Sequence, residues 1–259
     1  MSQKDKYIVG TSGYAFNDWI GRFYSPGIAS REMFAQYASR FNALELNFTF
    51  YRIPSIKSIQ RLADQSPNDF LFWVKANRQI THQADLSIAG EFIDSLAPLN
   101  ISGKLAGVLL QFPQSFRRTR ENRIFLSKAT RAMAAVPLAV EFRHFSWANS
   151  ATIQALRENN ITLVVPDCPA IPSLFHIPPI ATTSTGYLRL HSRNAEKWYA
   201  DMAQRYDYSY SKEELIEIIH SWKQVVSQVE RMFVFFNNCH HAQAALNAET
   251  FCQLISQVG

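Results

Sequence analysis

Ionisable and polar side chains that could do chemistry recur along this chain of 259 residues. They are Glu45, Lys75, Gln111, Glu141, Arg143, Asp167, Arg189, His191 and Asn237. Each lies near the end of a short run of apolar, strand-forming residues. Carboxylates and imidazoles exchange protons, lysine acts as a base or nucleophile, and arginine holds anions. The set therefore predicts a site for acid–base chemistry on an anionic ligand.

Eight apolar runs of strand-forming residues carry these side chains. The runs are Tyr7–Gly13, Ala43–Phe50, Leu71–Asn77, Leu105–Pro113, Leu138–His144, Ile161–Cys168, Thr185–Ser192 and Met232–Asn238. Their starts lie 23 to 47 residues apart, about the length of a strand–helix unit. Eight such units predict an α/β fold, a single (β/α)8 TIM barrel over residues 1–259. The active site of such a barrel lies at the C-terminal ends of its strands.

Most of the intervals between the runs have helical spacing. The predicted helices are Ser30–Phe41, Ser55–Gln65, Glu91–Leu99, Thr119–Ala135, Ser150–Asn159, Ser211–Val229 and Ala242–Gln257. Four prolines between Pro169 and Pro179 predict that the sixth helix is short or replaced by a Pro-rich loop. A second long loop, Ser192–Tyr210, follows strand seven. Long loops on a barrel usually belong to its binding face.

Alternation within the second run indicates which side chains point into the barrel. Glu45, Asn47, Thr49 and Tyr51 alternate with apolar residues, which should pack under the helices. We therefore expect the polar set to point inward. The inward ionisable groups comprise Glu45, Glu141 and Asp167 against Lys75, Arg143 and Arg189. Because unpaired buried charges are costly, this balance predicts a polar mouth over an apolar barrel floor.

Composition restricts the class of protein. At 47% hydrophobic, the chain can bury a full core, and no apolar run approaches the about 18 residues that span a bilayer. Met1–Tyr7 is polar and lacks the apolar centre of a signal peptide. Three cysteines without metal-type spacing fit a reduced cytoplasm, where we expect the protein to act. The net charge of +5 permits an anionic ligand. The oligomeric state is left open.

The chemistry of each side chain predicts its role. The catalytic candidates are Glu45, Glu141, His191, Lys75 and Asp167. The substrate-binding candidates are Asn47, Tyr51, Gln111, Arg143, His144, Arg189, Tyr208 and Asn237. A structural salt-bridge layer is the alternative for Glu45 and Glu141. Schiff-base formation is the alternative use of Lys75.

Loops near the mouth provide further candidates for ligand contacts. Arg189–Arg193 and Asn237–Asn238 follow strands seven and eight, where barrels often bind phosphate. Asn capping and Arg pairing with carboxylates are the alternative there. Thr81–His82 is close enough to reach the mouth. An aromatic rim beside cations suits sugars or bases, with half or more of its rings expected to pack the loops. The rim comprises Tyr14, Phe16, Trp19, Phe23, Tyr24, Trp147, Trp198, Tyr206 and Tyr208, beside Arg22, Lys197 and Arg205.

Some residues have the chemistry to bind a metal ion or nucleic acid. Glu45, Glu141, Asp167 and His191 are hard ligands, but the cations in the same mouth compete with a metal, so no cofactor is predicted. His240–His241 lacks partners at metal spacing and is expected to form a helix N-terminal turn. Arg117–Arg123 is a basic cluster that could contact nucleic acid, although a charge run usually marks a solvated face.

Several motifs give the chain a resemblance to a known family. They are GTSGY with the Trp, Phe and Tyr that follow it at Gly10–Tyr24, LELNFTFYRIP at Leu44–Pro54, FxxKANRQITH at Phe72–His82, QFPxxF at Gln111–Phe116, AVEFRHxSW at Ala139–Trp147, LRLH at Leu188–His191, RYDYSYSKEEL at Arg205–Leu215 and FFNN at Phe235–Asn238. Together they resemble the YecE-like family, a bacterial domain of unknown function with a TIM-barrel fold. Tyr14, Phe48 and Ser192 depart from the family's usual Trp, Ser and Gly. The resemblance implies the fold and the site location and supplies no reaction.

The sequence thus predicts a YecE-like TIM barrel that acts on a small anionic ligand. The ligand would bear phosphate or carboxylate on a sugar- or nucleoside-like part and bind at the C-terminal mouth. Hydrolase or lyase chemistry fits the acid–base set, while catalysis itself is left open. The alternatives are a nucleic-acid-processing, phosphodiesterase-like barrel and a non-catalytic ligand-binding protein. A closed mouth with every carboxylate paired would contradict the enzyme.

Overall fold

Eight parallel strands form a closed barrel in the order in which they occur along the chain. The structure, a computed structural model, describes residues 3–258. Met1, Ser2 and Gly259, the ends of the predicted domain, lie outside the described residues. The strands are β1 Tyr7–Ser12, β2 Ala43–Leu46, β3 Leu71–Lys75, β4 Leu105–Gln111, β5 Leu138–Glu141, β6 Thr162–Asp167, β7 Thr185–Leu190 and β8 Arg231–Phe236. The predicted (β/α)8 barrel is confirmed.

Helices alternate with the strands. Within residues 3–258 they are α1 Met33–Ala38, α2 Ile56–Gln65, α3 Arg78–His82, α4 Ala89–Ser95, α5 Ala97–Ile101, α6 Arg120–Ala132, α7 Ser150–Glu158, α8 Met202–Arg205, α9 Lys212–Gln228 and α10 Gln243–Val258. A capping box begins α9, since Ser211 and Glu214 each accept a hydrogen bond from the other's backbone N–H. None of these helices is both long and apolar enough to cross a bilayer.

Two long connections differ from the regular pattern, as the sequence predicts. Within the described chain, residues 168–184 between β6 and β7 contain no helix. Their prolines lack the backbone N–H that a helix requires. The connection after β7 is mostly irregular and contains the four-residue α8. Both connections begin at the C-terminal end of the barrel.

The second strand run and the predicted helix Glu91–Leu99 differ most from the observed elements. Strand β2 ends at Leu46 rather than Phe50, and a 3-10 turn, Phe48–Phe50, follows it. Thr49 holds this turn over β3 by donating to the Lys75 carbonyl at 2.6 Å. The predicted helix Glu91–Leu99 is divided into α4 and α5, because Pro98 lies in the first turn of α5 and cannot donate to the preceding turn.

Apolar side chains fill the interior of the barrel. The buried set comprises Ala43, Trp73, Leu109, Ala139, Val164, Tyr187, Phe233 and Phe235. Leu44 and Leu46 belong to the separate core outside the strands. The alternation predicted for β2 is thereby confirmed as far as Leu46. The polar residues discussed below lie above this apolar floor, at the C-terminal ends of the strands.

Candidate functional site

A buried ion network lies directly above the apolar floor. Arg189, near the end of β7, donates through Nη2 to Glu45 at 2.7 Å and through Nη1 to Glu141. Tyr187 donates to the other oxygen of Glu45 at 2.6 Å. These side chains are almost completely buried. The prediction that Glu45, Glu141 and Arg189 point into the barrel is confirmed. The three side chains pair with one another, as in the alternative of a structural salt-bridge layer.

Two guanidiniums keep Glu141 ionised. Arg143 forms a second ion pair with Glu141 through Nε, beside the one from Arg189. Burial acts to raise the pKa of Glu141, but Arg143 and Arg189 hold it well below its usual range. A carboxylate that stays charged and has no exposed surface cannot deliver a proton to a ligand at neutral pH. The geometry therefore favours an electrostatic role for Glu141.

His191 joins this layer as a neutral imidazole. It is completely buried. Burial, reinforced by Arg143, lowers the pKa of His191 to about 3. Its Nε2 lies 3.2 Å from Nη2 of Arg143, and its Nδ1 lies 2.9 Å from the amide of Asn237. Asn237 donates through Nδ2, so Nδ1 accepts and Nε2 carries the ring hydrogen, 3.5 Å from Oε1 of Glu141. His191 therefore links Asn237 to the Glu141–Arg143 pair.

A cavity of about 710 Å³ opens above the ion network, among the C-terminal ends of the strands. The mouth is therefore open, although the carboxylates beneath it are paired. Its cationic lining residues are Lys75, Arg143 and Arg205. None of the described lining residues is acidic. Amide side chains, including Asn47, Gln111 and Asn237, line it beside a group of aromatic rings.

Lys75 differs from the other cations of the site. Among the described residues, no carboxylate oxygen lies within 4.0 Å of its amine. Its Nζ instead lies 4.3 Å from the centroid of the Phe50 ring. Burial, and then the charge of Arg189, lowers the pKa of Lys75 to about 7, against the opposing effect of Glu45 and Glu141. A substantial fraction of this amine is therefore neutral at physiological pH.

The predicted site residues fall into three groups. Lys75, Arg143, Asn47, Tyr51, Gln111 and Asn237 line the cavity. Glu45, Glu141, Arg189 and His191 lie in the buried layer beneath it. Asp167, His144 and Tyr208 lie apart from the cavity lining.

The predicted inward direction of Asp167 is wrong. Val164 points into the barrel, so Asp167, three positions later, faces outward. There it binds Arg193, whose Nη2 lies at 2.8 Å, and accepts a hydrogen bond from the Tyr210 hydroxyl at 2.7 Å. Asp167 thus anchors the connection after β7, and the predicted balance of six inward charges loses one carboxylate.

His144 and Tyr208 also have local partners. His144 is the N-cap of a 3-10 turn and accepts from the Ser146 backbone N–H at 3.1 Å. Tyr208 donates its hydroxyl to Glu214 at the start of α9. Both side chains therefore stabilise loops, and the predicted contact of each with a ligand at the mouth has no support from its position.

The predicted phosphate position in the last two loops is likewise occupied by protein contacts. Arg193 pairs with Asp167 and with Glu217, at 2.8 Å each. Asn238 is fully buried and donates to the Tyr208 carbonyl at 2.7 Å. These contacts match the pairing alternative. Of the cations that reach the cavity, Arg205 comes from the connection after β7, whereas Lys75 ends β3 and Arg143 follows β5.

Two basic side chains of the cavity lie outside the predicted catalytic and binding sets, although the sequence predicts that both lie in loops near the mouth. His82, at the end of α3, lines the cavity, and its Nδ1 lies 2.9 Å from the Thr81 hydroxyl. Burial, followed by Lys75 and Arg143, lowers the pKa of His82 to about 4, so the ring is neutral. Arg205 reaches the cavity from the long connection after β7. The only signal for either residue is its place in a loop at the mouth.

The aromatic rim divides as the sequence predicts. Tyr14, Phe16, Trp198 and Tyr206 line the cavity. The other five rings pack within the protein, including Trp19, whose Nε1 donates to the Cys239 carbonyl at 2.7 Å. Planar surface is thus available to a ligand on the side of the mouth that also carries Arg205.

A group of metal-ligand types lies at the surface, outside the cavity lining. Ligand atoms of Asp18, His240 and His241 lie within 4.8 Å of one another. The expectation that the histidine pair lacks partners at metal spacing is therefore wrong. Asp18 is distant in sequence and is brought close by the fold, with its carboxylate accepting from the His241 backbone N–H at 2.7 Å.

Comparison with known proteins places the chain among proteins with the same barrel. It is 30% identical to the UPF0759 protein YunF of Bacillus subtilis, over 95% of this chain and 94% of that protein. A solved DUF72 family protein from Thermotoga maritima superposes with a TM-score of 0.90 at 37% identity, covering 96% of this chain and 99% of that one. A solved DUF72 family protein from Enterococcus faecalis superposes with a TM-score of 0.85 at 26% identity, covering 98% of this chain and 96% of that one.

The chain also matches part of a YecE protein, the relative that gives the YecE-like family its name. The UPF0759 protein YecE of Escherichia coli K12 is 34% identical over 42% of this chain and 38% of that protein. The family described as "Protein of unknown function DUF72" matches residues 8–258. The chain therefore belongs to the DUF72 family, which includes YecE-like proteins.

Proposed function

We propose that this protein is an enzyme whose cavity binds a small ligand bearing a phosphate or carboxylate group. The observation that carries the proposal is the charge of the lining. Lys75, Arg143 and Arg205 face the cavity, and none of its described lining residues is acidic. Cations without acidic competitors in a partly desolvated pocket attract an anion more strongly than the same groups in water.

The buried ion network supports anion binding by occupying the carboxylates. Glu45 is paired by Arg189, and Glu141 by Arg143 and Arg189. Neither carboxylate has exposed surface from which to repel an anion. The network also fixes the Arg143 side chain, so less conformational entropy is lost when a ligand binds.

Neutral groups of the cavity suit the rest of such a ligand. The Oδ1 atom of Asn47 is buried and has no protein partner for a hydrogen bond. A buried polar atom without a partner is costly, and a ligand hydroxyl or amine would satisfy it. Tyr206 offers a ring next to Arg205 in the cavity lining, while the buried Trp198 ring packs against Arg143 and Arg205. Amides and rings together are typical of sites that hold sugars or bases.

Acid–base work in this proposal belongs to the groups that reach the ligand. Lys75, with its pKa lowered to about 7, is the candidate base or nucleophile. His82 is a neutral imidazole in the same cavity. Glu45, Glu141 and His191 then act as positioning residues. A lyase or hydrolase reaction fits this set. The basic cluster Arg117–Arg123, which could contact nucleic acid, contributes no residue to the cavity lining.

A thermal-shift screen tests the proposal, because a ligand that binds the native state raises the melting temperature. Phosphorylated sugars, nucleotides and small carboxylates are compared with their uncharged counterparts. We expect an anionic compound to stabilise the protein, and its affinity to fall about tenfold to a hundredfold in Arg205→Gln, as for a lost charged hydrogen bond.

The control is Arg31→Gln, which removes a cation whose side chain is 86% exposed. Its affinity should equal that of the wild type. Equal affinities in Arg205→Gln, Lys75→Met and the wild type would contradict the proposal. Binding of DNA or RNA that depends on Arg117–Arg123 and not on the cavity variants would favour the nucleic-acid alternative.

A further inference from the structure

Lys75 is held in the cavity without a carboxylate partner, although two carboxylates lie in the layer below. Glu45 is bound by Arg189 and Tyr187, and Glu141 by two arginines. The amine packs instead against the Phe50 ring, 4.3 Å from its centroid. An ion pair would hold Lys75 as an ammonium, and the arginines prevent one by taking the carboxylates.

Burial and the charge of Arg189 outweigh Glu45 and Glu141, which act to raise the pKa of Lys75. With a pKa of about 7, roughly half of the Lys75 amines are neutral at neutral pH. The neutral amine has the lone pair that attacks a carbonyl carbon. A lysine used only as a positive charge gains nothing from such an environment, in which Arg143 and Arg205 already supply positive charge to the cavity.

We propose that Lys75 forms an imine with the carbonyl group of an aldehyde or ketone that also bears a phosphate or carboxylate. The proposal rests on the proposed function, since it takes the cavity as the ligand site. Arg143 and Arg205 hold the anionic group, while the neutral amine attacks the carbonyl carbon. The substrate class is thereby narrowed from anionic ligands to anionic carbonyl compounds.

The reaction balances without another reagent. The Lys75 nitrogen forms a bond to the carbonyl carbon, and the π electrons move to oxygen, which gains the proton that nitrogen loses. The resulting carbinolamine then expels its oxygen as water, and a carbon–nitrogen double bond forms. The net change is one amine and one carbonyl to one imine and one water. The protonated imine draws electrons from the neighbouring carbon, which is the requirement of many lyases.

His82 is placed to carry protons in these steps. Its ring meets the Phe50 ring edge-on at 4.9 Å between centroids, so His82 and Lys75 contact the same phenylalanine. The pKa of His82, lowered to about 4, keeps the imidazole neutral, with one nitrogen that donates and one that accepts. A neutral imidazole can deliver a proton to the leaving hydroxyl and recover one from the nitrogen.

Borohydride trapping tests the imine. The purified protein is incubated with glycolaldehyde phosphate, dihydroxyacetone phosphate, glyoxylate or pyruvate, and then reduced and analysed by intact-mass and peptide mass spectrometry. We expect one probe to add its mass less one oxygen atom, at Lys75. The rate of trapping should rise with pH through about 7, as the amine loses its proton. His82→Gln should slow trapping at least tenfold while leaving its site unchanged.

Lys75→Arg is the matched variant, because it keeps a cation and removes the nucleophile. Lys75→Met is the second variant if arginine does not fit. We expect neither to be labelled, while Lys75→Arg still gains thermal stability from the same probe. Labelling spread over other lysines, or unchanged in both variants, would overturn the proposal. So would a probe that stabilises the wild type and is never trapped, although the anionic site would then stand. If no anionic compound in either screen stabilised the protein, the proposed function would fail, and the imine with it.

Discussion

Arg189 lies 2.7 Å from Glu45, with the arginine side chain 1% exposed and the carboxylate completely buried. The pair therefore stabilises the mouth of the barrel from below and has no surface that a ligand could contact. Its second partner, Glu141, leads to Arg143, which does reach the cavity. The ionisable residues thus form two layers, a buried network and a partly buried cationic lining of the cavity.

Removing Arg189 should destabilise the barrel strongly. Arg189→Met leaves Glu45 without a cation and Glu141 with one, at a cost of about 3–5 kcal/mol for a broken buried pair. Urea unfolding measures the loss. The control is Arg40→Met, which breaks a pair with Glu249 at the surface, where we expect about 1 kcal/mol or less.

Adding Glu45→Gln to Arg189→Met should restore part of the stability, since it neutralises the carboxylate that has lost its cation. Equal losses in Arg189→Met and Arg40→Met would show that the network contributes no more than a surface ion pair.

Lys75 should lower the stability of the protein near neutral pH. Its pKa is about 7 in the folded state and 10.5 in the unfolded chain, so between these values the unfolded state binds more protons. The free energy of unfolding of the wild type should therefore rise with pH across this window. Lys75→Met should be the more stable protein at pH about 6, and its advantage should shrink by pH about 10. An advantage that does not change with pH would mean that Lys75 titrates normally.

Arg193 should control ligand binding without touching the ligand. It fastens the connection after β7 to Asp167 and Glu217, and that connection carries Trp198 and Arg205 to the cavity. In Arg193→Gln we expect the affinity for the stabilising anion to fall several-fold. Stability should change by about 1 kcal/mol, because Arg193 is 26% exposed and its pairs are partly solvated.

Calorimetric titration and urea unfolding measure the two quantities for Arg193→Gln. Glu217→Gln is the control, because that carboxylate is 68% exposed and Arg193 keeps its contact with Asp167. Unchanged affinity in Arg193→Gln would contradict the prediction that the connection after β7 must be held in place for the ligand to bind.

Lys104 should be structural, in contrast to Lys75. Its amine is buried and donates to the carbonyls of Ala63 and Ser66 at 2.7 and 2.8 Å, where α2 ends. Lys104→Met leaves these acceptors unpaired, and we expect a loss of about 1–3 kcal/mol in the free energy of unfolding. Lys57→Met, at an exposed position of the same helix, should cost less than about 0.5 kcal/mol. Similar losses for the two variants would contradict the capping role of Lys104.

Periodicity predicts the buried layer well and the cavity lining less well. Glu45 and Arg189 could be assigned to the interior because polar and apolar residues alternate around them. Asp167 follows Leu163, Val164 and Val165, a run apolar on both faces, so a period of two cannot decide which residues point inward. The residues of the buried ion network can thus be predicted from sequence only where one face of a strand is polar and the other apolar.

The alternation within strands does not predict which loop side chains enter the cavity. His82 and Arg205 reach the cavity through α3 and the connection after β7, whose paths depend on tertiary contacts such as Arg193 with Asp167. The ion pairs that occupy Glu45 and Glu141 also could not be assigned from sequence, because alternation gives the direction of a side chain and not its partner. For this reason the proposed function assigns acid–base chemistry to Lys75 rather than to Glu45 or Glu141.

A crystal structure with the best stabilising anion bound is the most direct test of the cavity as an anion site. We predict that the anionic group lies within hydrogen-bonding distance of Arg143 or Arg205, with the rest of the ligand against Trp198 and the amide of Asn47. The ion pairs of Glu45 and Glu141 should be unchanged beneath it. An anion bound instead at Arg117–Arg123, with the cavity empty, would contradict the central claim.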